Sequence, residues 1–331
     1  MTTIYLIRHA EAEGNIFRRL HGQYDSLLTP RGHKQVECLQ KRFENIHIDG
    51  CFASDLTRTS LTARAIYIPK GLPLHRDPRF REVHVGVWED IPYGYLDNFE
   101  EAGMHDFTHN PPQWYVEGAE RFEEYTQRFL DGMTDAAEAY DGGTIAIFGH
   151  GAAIRSTLMR LFFMDDLSKL RYSDNTGVCK LFYDNGVFTY EYLNDNSHIP
   201  EELSTFFIQR WWRETGRRKE SAVHFRLQEQ TREQRVMTVL LREQPIGTLT
   251  LGAPVGKTGQ ILGMTLQAGY EGRYYGDQLL GEAFSYYRKL GCTELAMAPG
   301  VDVDGVFGRY AFDPATRSRS IDTKVFDWSG K

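Results

Sequence analysis

Hydrophobic and polar positions alternate regularly along the first two hundred residues. Short apolar runs such as "TIYLI" and "GCFAS" are each followed by a longer stretch with helical periodicity, such as "RGHKQVECLQKRFENI" and "TRTSLTARAIYI". Further along, "FEEYTQRFLDGMTDAAEAY" predicts a helix, "GGTIAIFG" a strand, and "KLFYDNGVFTYEYL" a hairpin that turns at Asn185 and Gly186. This alternation predicts an α/β domain with a doubly wound, mostly parallel sheet, and the hairpin closes that domain.

The pattern changes after "NDNSHIPEE". A helix is predicted over "LSTFFIQRWWRET", antiparallel strands over "RVMTVLLREQPIGTLTLG" and "QILGMTL", and a long helix over "GDQLLGEAFSYYRKLG". We therefore expect two domains, residues 1–198 and 199–331, of which the second is a smaller α+β domain.

Composition and charge restrict the partners of the chain. The 331 residues are 41% hydrophobic, enough for two cores, and the net charge of -7 argues against general nucleic-acid or membrane-surface binding. We expect neither an export signal nor a membrane span, since no apolar run approaches about 20 residues. The four cysteines are scattered without CxxC spacing, so we expect a cytoplasmic protein without a zinc site or disulfide framework.

Candidate catalytic side chains follow the predicted strands. Arg8 and His9 come after "YLI", and His150 comes after "TIAIFG" between two glycines. Arg58 lies on the first helical turn after "CFAS", and Glu82 lies after a further predicted strand. Each residue alone is typical of a structural or surface position. Because ligands bind at the carboxyl ends of strands in an open α/β sheet, their conjunction predicts one site.

This set of side chains suits a phosphomonoester. An uncharged imidazole nitrogen can attack the phosphorus, which makes His9 the candidate nucleophile. Arg8 and Arg58 can hold the phosphate oxygens through charge-assisted hydrogen bonds, and His150 would complete that cradle. Nearby positive charge favours neutral His9, and a hydrogen bond from its other ring nitrogen to a backbone carbonyl would select the attacking tautomer.

Four segments, in order, resemble the signature segments of the histidine phosphatase (phosphoglycerate mutase-like) superfamily: "LIRHAEAEGN", "SDLTRTSLTA", "REVHVGVWED" and "FGHGAAIR". In addition, "VEGAERFEEYTQR" is similar to a motif of the phosphatase branch. The resemblance covers about residues 1–198. It implies a phosphohistidine intermediate on a small phosphorylated metabolite, without a metal or other cofactor. It also implies that Glu82 is the general acid and that Asn15 contributes to the phosphate pocket.

Several positions depart from that family pattern. Ala12 replaces a frequent serine or threonine, and Arg121 replaces a serine of the phosphatase branch. Substrate choice is assigned to Pro92–Glu120, whose aromatic side chains either stack on a leaving group or pack a lid: Tyr93, Tyr95, Phe107, Trp114 and Tyr115. A phosphatase is favoured because the basic insertions of the mutases are not evident. Phosphoglycerate mutase-type transfer, a binding module and a homo-oligomer are alternatives left open.

The C-terminal part resembles the GCN5-related N-acetyltransferases. The segments "MTLQAGYEGRYYGDQLLGEAFSYYRKLGCTELAM" and "VFGRYAF" carry this resemblance. It implies that a turn containing Gly272, Arg273 and Gly276 binds the pyrophosphate of acetyl-CoA. Glu271, Tyr274 and Phe307 depart from the pattern, and Phe307 lies where a tyrosine often protonates the departing thiolate. The alternatives are acyl-CoA binding, a bifunctional phosphatase/N-acetyltransferase, and an interaction or substrate-specifying module.

Overall fold

A computed structural model describes residues 1–166, 169–170 and 172–324. In these ranges the strands are β1 (Thr2–Arg8), β2 (Arg19–Leu20), β3 (Gly50–Ala53), β4 (Leu74–Arg76), β5 (Ile91–Pro92), β6 (Thr144–Gly149), β7 (Val178–Asp184), β8 (Val187–Asp195), β9 (His224–Gln230), β10 (Gln234–Leu241), β11 (Gln244–Val255), β12 (Thr258–Leu266), β13 (Glu294–Met297) and β14 (Ser318–Ser320). The α-helices are α1 (Glu13–Ile16), α2 (Pro30–Phe43), α3 (Thr57–Tyr67), α4 (Tyr93–Phe99), α5 (Glu101–His109), α6 (Phe122–Ala139), α7 (Gly151–Phe162), α8 (Thr205–Ile208), α9 (Arg210–Arg213), α10 (Tyr275–Lys289) and α11 (Val306–Arg309).

The chain folds into two compact units that interleave along the sequence. The first unit contains residues 1–12, 21–89 and 102–210. The second contains residues 13–20 and 90–101 together with the described residues from Trp211 onward. Two segments of the predicted first domain therefore fold with the second unit. The single domain boundary between residues 198 and 199 stays a prediction from the sequence.

The first unit is built on a mostly parallel sheet, as predicted. Its strand order is β4-β3-β6-β1-β7-β8, in which β4, β3, β6 and β1 run parallel and β7 and β8 pair antiparallel. Successive side chains of β1 point to opposite faces of the sheet. Ile4 and Leu6 pack in a core with α6 and α7, whereas Tyr5 and Ile7 pack with α2 and α3. Helices thus cover both faces, which confirms the doubly wound prediction.

The register of this sheet places the predicted site. Arg8 at the end of β1 pairs with Gly149 at the end of β6, and Ala53 at the end of β3 pairs with Phe148. Because these strands are parallel, the residues that follow them emerge at the same edge of the sheet. His9 and His150 are the next residues along two of these strands.

The second unit contains the predicted antiparallel strands and long helix. Its sheet has the order β14-β13-β12-β11-β10-β9 and is antiparallel except for the β12–β13 pair. That parallel pair joins Thr258–Ile261 to Glu294–Met297, so β12 continues beyond it toward the turn that precedes α10. Tyr287 of α10 packs over Gly259, which anchors the helix to the sheet.

Two predictions of local structure are wrong. The helix expected over residues 203–215 is two short helices, α8 and α9, because α8 ends at its C-cap Gln209 before α9 begins at Arg210. No strand directly precedes Glu82: β4 ends at Arg76, and a 3-10 helix over Pro78–Phe80 intervenes. Among the helices in the described ranges, none is long and apolar enough to cross a membrane.

Candidate active site

The two strand-end histidines lie together inside the first unit. The ring centroids of His9 and His150 are 5.2 Å apart. Nε of Arg58 donates a hydrogen bond to Nδ1 of His150 at 3.2 Å. All three residues are at least 95% buried, with 5%, 0% and 2% of the residue surface exposed for His9, His150 and Arg58. The structure therefore brings the predicted nucleophile, the second histidine and one arginine into a single cluster.

The orientation of His9 selects one tautomer. Its Nδ1 lies 2.7 Å from the carbonyl oxygen of Ala10, which can only accept, so Nδ1 carries the proton. In the neutral ring the lone pair is then on Nε2. The backbone of His9 is fixed as well, because Nδ2 of Asn175 and the amide of Thr176 donate to its carbonyl at 2.9 and 3.3 Å. Asn175 was missed in the sequence, where it lies in a loop without a recognisable motif.

The surroundings of His9 favour the uncharged ring. Burial lowers its pKa well below the ordinary histidine value, and the positive charges of Arg58 and Arg8 lower it further. The hydrogen bond to Ala10 opposes this shift without reversing it. His9 is thus held in the protonation state and tautomer that a nitrogen nucleophile needs.

Arg58 is fixed by main-chain oxygens of one loop. Its Nη1 donates to the carbonyl of Tyr24 at 2.9 Å, and its Nη2 donates to the carbonyl of Gly22 at 2.7 Å. Glu89 secures that loop by accepting from the amides of Gln23 and Tyr24 at 2.7 and 3.0 Å. Glu89 therefore acts on the cluster through the loop that holds Arg58, and no sequence pattern distinguishes it from a surface carboxylate.

Arg8 approaches the turn that carries His150. Its Nη1 donates to the carbonyl of Ser173. A Cβ atom on Gly151 would lie 3.0 Å from Nε of Arg8 and 3.2 Å from its Cζ. Gly151 is one of the two glycines beside His150, and the close approach that it permits in the structure is to Arg8.

His150 is bonded on both sides of its ring. Because Nδ1 accepts from Arg58, the proton of the neutral ring is on Nε2, which lies 2.8 Å from Oγ of Ser54. Burial lowers the pKa of His150 well below the ordinary value, and Arg58 lowers it further. To donate to a phosphate, Nε2 would have to exchange its contact with Ser54. Ser54 begins the motif "SDLTRTSLTA", yet it was not singled out.

Glu82 lies against the N-terminus of α7. Its carboxylate accepts from the amides of Ala152 and Ala153 at 3.0 and 2.6 Å, two and three residues after His150 in the chain. Burial raises the pKa of Glu82 above the ordinary value, although these amides and Arg58 oppose the rise. A carboxyl group with a raised pKa suits a general acid.

The remaining positions of the predicted pocket have different surroundings. Asn15 lies in α1, which belongs to the second unit, and its contact with phosphate stays a prediction. Ala12 is buried in a β-bridge with Leu28. Arg121 is the N-cap of α6, and its guanidinium lies 4.1 Å above the ring centroid of Tyr115. Arg121 therefore has a structural explanation in the first unit.

The aromatic side chains between Pro92 and Glu120 are divided between the two units. In the first unit, Phe107 and Trp114 pack on each other with centroids 4.8 Å apart and on Trp88. In the second unit, Tyr93 packs against the guanidinium of Arg18 at 4.5 Å, and Tyr95 packs against Phe99. Of the two alternatives, stacking on a leaving group and packing within the protein, these contacts favour packing for Phe107 and Trp114.

The predicted acyl-CoA turn has its amides occupied by a carboxylate of the same unit. The amide of Gly272 donates to Oδ1 of Asp304 at 3.1 Å, and that of Gly276 donates to Oδ2 at 3.4 Å. Arg273 lies between them, with its guanidinium 5.6 Å from the ring centroid of Trp211. A diphosphate would need the same amides and would meet the charge of Asp304. In this arrangement the turn does not fit the pyrophosphate of acyl-CoA.

The three departures around this turn also have explanations. Glu271 turns its carboxylate onto the amide of Gly269 at 2.7 Å. Tyr274 adopts a left-handed backbone with φ of 62°, a conformation that glycine adopts more readily than tyrosine. Phe307 stacks on Phe312 with centroids 5.5 Å apart and supplies no hydroxyl group for proton transfer.

The fold and the site together define an α/β protein with a buried histidine and arginine centre. Residues 4–196 match the model of the "Histidine phosphatase superfamily (branch 1)", and residues 202–310 match that of the "Acetyltransferase (GNAT) family". The chain belongs to the histidine phosphatase superfamily, and its C-terminal part carries a GNAT domain. Both resemblances found in the sequence are confirmed.

Relatives of the first region include both mutases and phosphatases by name. "Probable phosphoglycerate mutase GpmB" of Enterobacter sp. (strain 638) is 32% identical over 154 residues, which are 46% of this chain and 72% of that protein. The structure of Bacillus stearothermophilus YhfR is similar with a TM-score of 0.57 and 28% identity, over 60% of this chain and all of that one. The fold also matches a mycobacterial glucosyl-3-phosphoglycerate phosphatase with VO3, with a TM-score of 0.54 and 20% identity, over 59% of this chain and 99% of that one.

Proposed function

We propose that the protein is a phosphomonoester hydrolase that acts on a small phosphorylated metabolite through a phosphohistidine at His9. The observation that carries this proposal is the hydrogen bond from Nδ1 of His9 to the Ala10 carbonyl, which leaves the lone pair on Nε2 beside two arginines. Membership of the superfamily supports the same reaction type.

In the first step, the lone pair on Nε2 of His9 attacks phosphorus and the ester P–O bond breaks. The carboxyl group of Glu82 gives its proton to the departing oxygen, since an alkoxide is a poor leaving group at neutral pH. Arg8 and Arg58 donate to the equatorial oxygens as charge develops there. The Ala10 carbonyl stabilises the proton on Nδ1 as the ring becomes cationic.

In the second step, water attacks the phosphorus of the phosphohistidine. The carboxylate of Glu82 takes a proton from that water, and the electron pair of the P–N bond returns to Nε2. Inorganic phosphate leaves, and both His9 and Glu82 regain their starting protonation states. The two guanidinium groups supply the positive charge that this chemistry needs, so the proposal is metal-independent.

A phosphoglycerate mutase remains the second candidate because curated relatives carry that name. A mutase would return the phosphoryl group from His9 to another hydroxyl of its substrate, whereas a phosphatase gives it to water. Production of inorganic phosphate from phosphoglycerate, measured beside isomerisation of the same compound, distinguishes the two reactions.

For the GNAT domain, family membership favours acyl-CoA as a ligand and the Asp304 contacts oppose it. We therefore propose a substrate-specifying module rather than a second catalyst, with a bifunctional enzyme as the alternative. Cytoplasmic location is also proposed. It is supported by free thiols at Cys38, Cys51, Cys179 and Cys292.

The proposal is tested by hydrolysis of p-nitrophenyl phosphate with and without EDTA. His9→Ala should lower kcat by about a thousandfold or more, because it removes the atom that accepts the phosphoryl group. His47→Ala, which changes a histidine whose side chain is 83% exposed, is the matched control and should keep wild-type turnover. Unchanged turnover in His9→Ala, or loss of wild-type activity in EDTA, would contradict the proposal.

A further inference from the structure

The proposed general acid lies on a chain segment without regular secondary structure. The 3-10 helix that follows β4 ends at Phe80, and Glu82 comes two residues later. Outside a strand, the main-chain carbonyl groups of such a segment need hydrogen-bond donors from elsewhere in the protein. The groups that provide these donors therefore decide how firmly Glu82 is held.

Arg128 of α6 provides donors to this segment. Its Nη1 donates to the carbonyl oxygens of Arg79 and Arg81 at 2.7 and 2.8 Å. Its Nη2 donates to the carbonyl oxygen of Glu82 at 2.8 Å. The side chain of Arg128 is 19% exposed. One guanidinium group thus bonds three main-chain oxygens within four residues, and the last of these oxygens belongs to the proposed acid.

Glu120 fixes the guanidinium group of Arg128 in one plane. Its Oε1 accepts from Nε and its Oε2 from Nη2 of Arg128, both at 2.7 Å, which is a bidentate pair. Oε2 of Glu120 also accepts from the amide of His84 at 2.7 Å, two residues beyond Glu82. An arginine side chain has five N–H donors, and the bonds to Glu120 and to the three carbonyls use all of them.

Apolar packing holds α6 against the same segment. The rings of Phe80 and Phe129 are buried with centroids 5.3 Å apart, and Phe129 is the neighbour of Arg128 in the chain. One helical turn after Arg128, a Cβ atom on Gly132 would lie 3.0 Å from the Phe80 ring. All of these residues belong to the first unit. The guanidinium group therefore extends from a helix that is packed directly on the segment it bonds.

The other end of Glu82 is held by α7. Its carboxylate accepts from the amides of Ala152 and Ala153, the second and third residues of that helix. The first amides of an α-helix have no acceptor within the helix, so this carboxylate supplies one. A shift of the Glu82 main chain would withdraw the carboxylate from these amides, and the bond from Arg128 to the Glu82 carbonyl opposes such a shift.

We propose that Arg128 and Glu120 are positioning residues that hold the main chain of Glu82, so that its carboxyl group stays at the N-terminus of α7 for proton transfer. The inference rests on the proposed function, because it takes Glu82 as the general acid. Both residues lie in "VEGAERFEEYTQR", and the proposed mechanism gives neither of them a role.

The first test measures the position of Glu82 without reference to activity. Amide hydrogen exchange at Ala152 and Ala153, followed by NMR in the full-length protein, reports whether the carboxylate stays in place. In Arg128→Met this exchange should be about tenfold faster or more, because the main chain of Glu82 is released. Arg128→Lys keeps the charge but has three donors instead of five, so its exchange rate should be intermediate.

Arg160→Met is the matched control for this measurement. Arg160 donates to Oγ1 of Thr126 at 2.9 Å and to Oε1 of Gln127 at 2.6 Å, so the variant removes an arginine contact to the same helix α6. Exchange at Ala152 and Ala153 should stay within about twofold of the wild-type rate in this variant.

The second test is kinetic. On an alkyl phosphate, Arg128→Met should lower kcat by about tenfold or more while KM stays within about threefold, because proton transfer is affected more than binding. The loss should be smaller on p-nitrophenyl phosphate, whose leaving group is a weaker base. On the alkyl phosphate, the double variant with Glu82→Gln should stay within about threefold of Glu82→Gln alone, because Arg128 acts through Glu82.

Three results would overturn the inference: wild-type exchange at Ala152 and Ala153 in Arg128→Met, equally fast exchange in Arg160→Met, or losses of kcat that multiply in the double variant. Failure of the proposed function is a separate result. If the wild type hydrolyses no ester, faster exchange in Arg128→Met but not in Arg160→Met still supports the positioning of Glu82. If it hydrolyses esters and exchange is unchanged in Arg128→Met, the proposed function stands and the inference fails.

Discussion

The N-termini of α7 and α10 bind carboxylates in closely similar ways, yet their surroundings differ. Glu82 accepts from two amides at the start of α7, and Asp304 accepts from two amides of the turn before and at the start of α10. Glu82 lies in a cluster with buried Arg58, which acts on its pKa. Asp304 instead occupies the donors that an acyl-CoA pyrophosphate would need. The same interaction thus holds the proposed general acid in one unit and occupies the proposed ligand-binding amides in the other.

The largest effect should come from removing the acid at the first of these helices. Glu82→Gln keeps the size of the side chain and an oxygen for the α7 amides but cannot give up a proton. On an alkyl phosphate kcat should fall by about 10²–10⁴. On p-nitrophenyl phosphate, whose leaving group is a weaker base, the loss should be smaller.

The pH dependence sharpens this prediction. Because the pKa of Glu82 is raised, the wild type should lose kcat as pH rises through that pKa and the acid ionises. This alkaline limb should be absent in Glu82→Gln. Steady-state kinetics over a pH series measures this alkaline limb. Glu123→Gln, in the first turn of α6, is the control. Equal losses on both esters would show that Glu82 is not the acid.

A smaller effect is expected at the second helix. Asp304→Asn removes the negative charge with little change in size, so the affinity for acetyl-CoA should rise by about tenfold in titration calorimetry. Asp302→Asn is the matched control, because Asp302 accepts from the amide of Phe307 instead of the turn. Tight binding of acetyl-CoA by the wild type would contradict this contrast between the two helices. An unchanged affinity for acetyl-CoA in Asp304→Asn would contradict it as well.

Much of the first unit could be predicted from the sequence because its signals are local. The apolar strands that precede His9 and His150 predict both the order of the elements and the proposed site residues. Asn175, Ser54 and Glu89 were not predicted, since each acts through a backbone group or another side chain that only folding brings near.

The interleaving of the two units could not be predicted from sequence patterns either. Residues 13–20 and 90–101 have the periodicity of the region around them, and their attachment to α10 depends on contacts such as Glu13 with Arg288, 275 positions apart. The contact of Asp304 with Gly276 is similar, because nothing in "VDVDG" shows which amides its carboxylate will meet.

The central claim is that Nε2 of His9 carries the phosphoryl group during turnover. Rapid quench of the wild type with a ³²P-labelled phosphomonoester, followed by alkaline peptide mapping, tests it most directly. We predict an acid-labile, base-stable label on the peptide that contains His9, formed faster than phosphate is released in the steady state and missing in His9→Ala. Turnover without such a label, or a label that persists in His9→Ala, would contradict the account.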